Sequence, residues 1–259
     1  MPKLSDRTPG KRFLGLFVGR SGSGKTVAEA SFPGDKHFMD FDGRIGGLDG
    51  VDWIDRDRIT YDYYPPRDRE LISKVNKKLD AWLVASSVGQ HVPETLITDS
   101  ITSETYAFLC QAIPLTHHNG QGRSIGTIAM AGPADYGLEA QATYDYMSFL
   151  RSLPINNIIV SAHYVDRYGK ADQSNPYSEN IVIGKKLSVR DKIGENIQIY
   201  FDHIFEYERE VINDKEKFFV TFRGDLARTS YSWLPEGRHE ITGKNFYEFM
   251  NSFRKESEK

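Results

Sequence analysis

One cysteine, Cys110, is all that this 259-residue chain contains. No intrachain disulfide framework and no cysteine-rich zinc site is therefore open to it, and a reducing, cytoplasmic compartment is expected. No apolar run approaches the roughly 18 to 20 residues of a spanning helix, which argues against membrane insertion. A positive excess is missing too: 33 Lys and Arg stand against 36 Asp and Glu, a formal net charge of -3. A surface built mainly to neutralise phosphates would be basic, so the bulk charge counts against a dedicated nucleic-acid binder. The basic start, through Phe13, is followed by no apolar segment and cleavage signal, so no secretory leader is expected. No internal repeat is visible. What is present is a hydrophobic fraction of 39%, too high for general disorder and sufficient for a core without covalent staples.

Residues 1–12 carry four cations, Lys3, Arg7, Lys11 and Arg12, and read as a flexible basic arm. Residues 13–259 read as a single α/β domain. Phe13 to Val18 is a short apolar run ending in glycine, suited to a strand buried on both faces. A glycine loop, a helix over Lys25 to Ser31 and a second strand at His37 to Phe41 follow at once. That order makes a βαβ unit, which requires a parallel sheet. Further strands are expected at Ile59 to Tyr63, Thr95 to Asp99 and Asn157 to Ala162. Helices are expected at Glu70 to Ser86, Ser103 to Ile113 and Ala134 to Leu153. Two stretches, His117 to Pro133 and Asp166 to Lys192, read as long loops, the second with a small hairpin as an alternative. Strands at Phe201 to Glu208, Phe218 to Phe222 and Thr229 to Trp233 extend the sheet, and a helix at Asn245 to Phe253 closes the chain.

The motif that carries chemistry is Gly19-Arg20-Ser21-Gly22-Ser23-Gly24-Lys25-Thr26, which fits G-x4-G-K-[ST] between a strand and a helix. Its glycines let successive backbone N–H groups point inward at phosphate oxygens, and the next helix presents its positive end to the same anion. Residues Gly19 to Val27 are the expected nucleotide contacts. Lys25 is expected on the β and γ phosphates, and the Thr26 hydroxyl on Mg²⁺. Asp99, at the end of an apolar strand, is the second element, a carboxylate for the metal. Ser100 and Thr102 read as caps of the following helix. Asp40 and Asp42 share one face of the second strand, with Asp42 nearer the nucleotide. It is a candidate for handling the attacking water, against a plain acidic turn. His163 ends a core strand, where open α/β sheets bind ligands. It could donate to the γ phosphate, or be an ordinary hydrogen-bonded histidine.

These elements, in this order, resemble the RecA-like recombinase and ring-helicase branch of phosphate-loop ATPases. Within it the chain looks like the phage-encoded nucleotide-binding proteins that include the Sak-type single-strand annealing ATPases. The residues that carry the resemblance are Gly19 to Thr26, Phe38-Met39-Asp40-Phe41-Asp42-Gly43, Leu96 to Ser100, Ala134 to Gly137, and Ile158 to His163. The resemblance implies a RecA-like fold, a mostly parallel sheet flanked by helices with a C-terminal antiparallel extension. It implies ATP and Mg²⁺ as ligands, Asp42 activating water and His163 sensing the γ phosphate. Single-stranded DNA would be bound by the two long loops, in a bacterial host cell. A positive finger, Arg228 or its neighbour Arg223, would reach a neighbouring copy's nucleotide, which requires assembly into a ring or filament. Here Asp stands where many recombinases have Glu, and His where they have Gln.

Two other readings use the same loop. A small-molecule kinase would need an arginine-bearing lid, for which Arg56, Arg58, Arg67 and Arg69 are candidates. A nucleotide-dependent binding module would hydrolyse slowly or not at all. A GTPase is disfavoured by the absence of an [NT]-K-x-D reader, since Asn76-Lys77-Lys78 is followed by Leu79, so the expected base is adenine.

Overall fold

A computed structural model describes residues 12–118, 123–125, 128–171, 174 and 177–257. Of the expected N-terminal arm, residues 1–11 lie outside the described residues. Arg12 is anchored rather than free, donating to the carbonyls of Leu150 at 3.3 Å and Leu153 at 2.9 Å.

The first strand, β1 (Phe13–Gly19), leads through the glycine loop into α1 (Lys25–Ala30) and β2 (Lys36–Asp40). An irregular segment then reaches the edge strand β3 (Ile59–Tyr63), followed by α2 (Leu71–Ser87) and β4 (Thr95–Asp99). Next come α3 (Ile101–His118), the short strands β5 (Arg123–Ile125) and β6 (Ile128–Met130), α4 (Pro133–Ser152) and β7 (Asn157–Ala162). A hairpin of β8 (Tyr164–Lys170) and β9 (Asn180–Leu187) follows, then α5 (Asp191–Ile197). The chain closes with β10 (His203–Ile212), β11 (Lys215–Thr221), β12 (Arg228–Thr229), β13 (Arg238–Glu240) and α6 (Phe246–Ser257).

The main sheet has the order β13-β11-β10-β1-β7-β4-β2-β3, with β12 also on β10. From β3 to β10 the strands run parallel, and β11, β12 and β13 join antiparallel, giving the expected C-terminal extension. Alternation divides β1 between two cores. Leu14, Leu16 and Val18 face α2, α3, α4 and α5, while Phe13 and Phe17 face α1 and α6. The spacing of Leu71, Val75, Leu79 and Trp82 puts one apolar stripe of α2 on the sheet, as its periodicity required.

The first expected long loop is corrected, and the second takes its hairpin alternative. α3 runs past Pro114 to His118, because its last turn is tied to the start of α4: the Thr116 hydroxyl meets Asp135 Oδ1 at 2.5 Å. The other Asp135 oxygen accepts from the Gly132 N–H at 2.6 Å and so caps α4. The segment between holds the β5–β6 pair. The second stretch is the β8–β9 hairpin, registered from Tyr164 with Leu187 to Lys170 with Asn180. No helix among the described residues is long and apolar enough to cross a membrane.

Glu104 of α3 is fully buried, and neither carboxyl oxygen has a hydrogen-bond partner among the described residues. Burial, reinforced by Glu139 of α4, holds its carboxyl well above the ordinary value. The folded chain therefore keeps a proton that the unfolded chain releases above about pH 4.3. That retention makes the group cost stability as pH rises from there toward its folded pKa, at about 1.4 kcal/mol per unit. Glu104→Gln is expected to raise the melting temperature over wild type by several degrees at pH 8, with the gain shrinking toward pH 4. A melting-temperature difference independent of pH would contradict this account.

Candidate functional site

The carboxyl ends of β1, β2, β4 and β7 bring the site together at the phosphate loop. Gly19 has no room for a side chain, since a Cβ there would lie 2.6 Å from the Tyr207 carbonyl. Gly24 has φ of 88°, a left-handed conformation that favours glycine, and turns the chain into α1. α1 is only six residues long, so the anion cradle has to come from the loop's own N–H groups more than from a long helix. The Lys25 side chain is buried and folds back over the loop, donating to the carbonyls of Gly19 at 2.9 Å and Arg20 at 3.1 Å. Burial lowers its pKa, while Glu29, Asp99 and Asp42 act in the opposite direction.

Thr26 and Asp99 meet as the motif requires, with Thr26 Oγ1 donating to Asp99 Oδ2 at 3.0 Å. The second Asp99 oxygen accepts from Ser161 of β7 at 2.5 Å. Burial is the largest influence on Asp99 and raises its pKa, against the hydrogen bond from Ser161. A hydroxyl and a carboxylate are the hard oxygen donors that Mg²⁺ takes, alongside phosphate oxygens and water. No group of three or more His, Cys, Asp or Glu among the described residues forms a metal cage. The Thr26 hydroxyl and the Asp99 carboxylate, side by side, fit a metal shared with a phosphate ligand.

β7 lies between the phosphate-loop strand and the Asp99 strand, and so delivers His163 to the middle of the site. His163 Nε2 lies 3.2 Å from Asp42 Oδ2, and Nδ1 lies 3.5 Å from Lys25 Nζ and 3.3 Å from the Gly19 carbonyl. Placing the proton on Nε2 lets it donate to Asp42 while Nδ1 accepts from Lys25, a tautomer assigned from these partners. Asp42 Oδ1 accepts from the Ser100 hydroxyl at 2.9 Å. Burial would raise the Asp42 pKa, but hydrogen bonds from His163, Ser103 and Ser100 outweigh it and hold the carboxyl well below the usual range. Lys25, His163, Asp42 and Ser100 therefore form one polar chain from the phosphate loop to the end of β4.

Asp40 has a different task from Asp42. Its Oδ1 accepts from the N–H groups of Asp42 at 3.1 Å and Gly43 at 2.7 Å, holding the turn that carries Asp42. Ser100 does more than cap α3, since it reaches Asp42. Thr102 accepts the His163 N–H at 3.0 Å and so fixes the end of β7.

A cleft of about 230 Å³ is lined by residues 21–27 with Asp42, Arg44, Gly47, Asp99, His163 and Phe218. Sequence reading placed the loop, Asp42, Asp99 and His163 there. It missed Arg44 and Phe218, whose only signals were a cation after an acidic turn and an aromatic in a strand. It also missed Glu29, fully buried one turn after Lys25, whose carboxyl burial pushes well above its ordinary value. Arg20 points out of the loop into an ion pair with Asp166 at 2.6 Å. Arg228 does not line the cleft, and its guanidinium donates to the Gln198 carbonyl. Arg223 donates to the Tyr231 carbonyl at 3.0 Å. Of the arginines that a kinase lid would use, Arg58 pairs with Asp35 at 2.7 Å, beside the amino end of β2, and Arg56 binds the Asp49 carbonyl. Neither Arg67 nor Arg69 lines the cleft.

The sheet order, the phosphate loop and the Asp99 strand together are those of a RecA-like α/β fold. No family model and no curated protein matches the chain. Solved structures do match, 224 chains in all. Among them is a KaiC-like protein from the archaeon Pyrococcus horikoshii OT3, 11% identical, with 91% of this chain and 87% of that chain covered and a TM-score of 0.47.

Proposed function

We propose that this chain is a Mg²⁺-dependent ATPase that works on single-stranded DNA in annealing or recombination. One observation carries the nucleotide reading: Lys25, Thr26 with Asp99, and Asp42 with His163 converge on a single cleft. In that cleft the loop N–H groups and Lys25 bind the β and γ phosphates. Thr26 and Asp99 would hold Mg²⁺, which supplies positive charge to the β- and γ-phosphate oxygens. Asp42, kept ionised, orients the attacking water, and His163 fixes the carboxylate by its Nε2–H. Phe218 packs beside Gly24 and offers an apolar wall to the nucleotide.

The DNA half draws support from the β8–β9 hairpin, which starts directly after His163. Tyr168 and Tyr177 are exposed there, with Arg167 and Lys170 beside them, a composition suited to stacking and phosphate contact. Three cations of the stretch from Asp166 to Lys192 are already neutralised. Lys185 binds Glu206 and Glu208, Lys186 binds Asp191, and Arg190 binds Glu139. Assembly of copies along the DNA into a ring or filament belongs to the same reading.

A slow, nucleotide-switched binding module is favoured by the hydrogen bonds that Asp42 accepts from Ser100 and His163, which hold its carboxyl below the usual range, since a weak base removes a proton from water slowly. Steady-state ATP hydrolysis with and without single-stranded DNA separates these readings. The expected result is hydrolysis stimulated by DNA and binding that weakens steeply with salt. Hydrolysis indifferent to DNA, with no complex at low salt, would remove the DNA half.

A further inference from the structure

Positive charge is scarce where the terminal phosphate would sit. Among the described residues, the lysines and arginines that line the cleft are Lys25 and Arg44. Arg44 follows the turn that Asp40 holds, and its own N–H lies 3.4 Å from Asp40 Oδ1. A short helical turn, Ile45–Leu48, fixes the chain beyond it by burying Leu48. Its backbone is therefore set, while its exposed side chain reaches back across the cleft to the phosphate loop. There Nη1 donates to Ser21 Oγ at 2.6 Å. No carboxylate among the described residues lies within ion-pair distance of this guanidinium, whereas Arg20, in the loop itself, is neutralised by Asp166.

We propose that Arg44 is a catalytic residue that grips the terminal phosphate from the side opposite the loop backbone, within the same chain. The inference rests on the ATPase reading and adds to it the source of the compensating charge. An arginine fork binds phosphate oxygens in pairs and meets a full negative charge there, whereas Ser21 offers it one neutral oxygen. In hydrolysis the water oxygen bonds to the γ phosphorus as the bond to the β–γ bridging oxygen breaks. The electron pair stays on ADP, and the water's protons end on phosphate and solvent. Arg44 makes no covalent bond; it stabilises the negative charge on the transferring group, which positioned arginines do to large effect.

An in-chain arginine also makes a neighbour's Arg228 unnecessary for this charge. A single subunit then carries the charge its own nucleotide needs.

The test compares Mg-ATPγS and Mg-ADP binding by calorimetry with ATP turnover, for wild type, Arg44→Ala and Arg44→Lys. Because Arg44 is exposed and carries no core contact, both variants are expected to keep the wild-type melting temperature. Arg44→Ala is expected to lose about 10-fold or more in ATPγS affinity and under about 3-fold for ADP, with turnover down on the order of 10²-fold or more. Arg44→Lys recovers part of the binding and little of the turnover, since it restores charge without the fork. Equal effects on ADP and ATPγS, or none on either while wild type hydrolyses ATP, would overturn the proposal. So would turnover per subunit that falls on dilution with Arg44→Ala unchanged. Wild type that binds neither nucleotide overturns the ATPase reading itself, and this inference with it. Should Arg44→Ala fail to fold, Arg44→Lys carries the comparison: turnover and the ATPγS-to-ADP affinity ratio both at wild-type values would overturn the proposal.

Discussion

Lys25→Ala is expected to abolish ATP turnover, lowering it by about 10³-fold or more, the scale on which removing a preorganised charge from a dry site acts. Two features argue for so large an effect. The ammonium is buried, and its partners are loop carbonyls and His163 Nδ1. A phosphate reaching the loop would meet it with little competing water, where its charge counts for most. The fold should survive, since burial already disfavours the charged lysine and the loop keeps its glycine geometry. A melting temperature near wild type, with hydrolysis lost, is the expected pair of results. Full hydrolysis by this variant would sink the assignment of the loop.

The second large effect is expected at Asp42. Asp42→Asn keeps size and shape but removes the charge that accepts from His163 and Ser100. Turnover is expected to fall by about 10² to 10⁴-fold, the usual contribution of a positioned acid–base group. ATP affinity should change only a few-fold, because Asp42 is assigned to the water and not to the phosphates. Stability should move as well. A carboxyl whose folded pKa is depressed contributes stability that is present above its unfolded value, near pH 3.9, and is lost as pH falls through the folded pKa. Asp42→Asn should therefore lower the melting temperature at pH 7 and lose less stability than wild type on acidification. Unchanged turnover at saturating ATP would make Asp42 a structural residue of the turn and nothing more.

Much of this site was legible because its chemistry is local in the chain. The phosphate loop is contiguous, and Asp99 ends a continuous apolar strand whose bounds, Thr95 to Asp99, follow from its flanking turn residues. His163 was legible as a strand end, yet its partners were not, since Asp42 lies 121 positions away and Lys25 138 positions away. Only the order of strands makes them neighbours: β7 inserts between β1 and β4, and no pattern within one segment encodes that. Arg44 and Arg228 illustrate the same limit. Both are cations in polar stretches, and the fold takes one into the cleft while the other binds a distant carbonyl. The first long loop was misread for a different reason. Pro114 reads as a helix stop because proline removes a backbone donor, but the Thr116 to Asp135 contact holds the helix beyond it.

The proposed ATPase function requires these residues to act as one site that cleaves ATP. Single-turnover phosphate release tests it most directly, with Mg-ATP mixed with excess protein and followed beside Lys25→Ala. Wild type is expected to release close to one phosphate per bound ATP, and the variant none above the uncatalysed rate. Release that is equal in the two proteins, or absent from wild type that binds ATP, would contradict it.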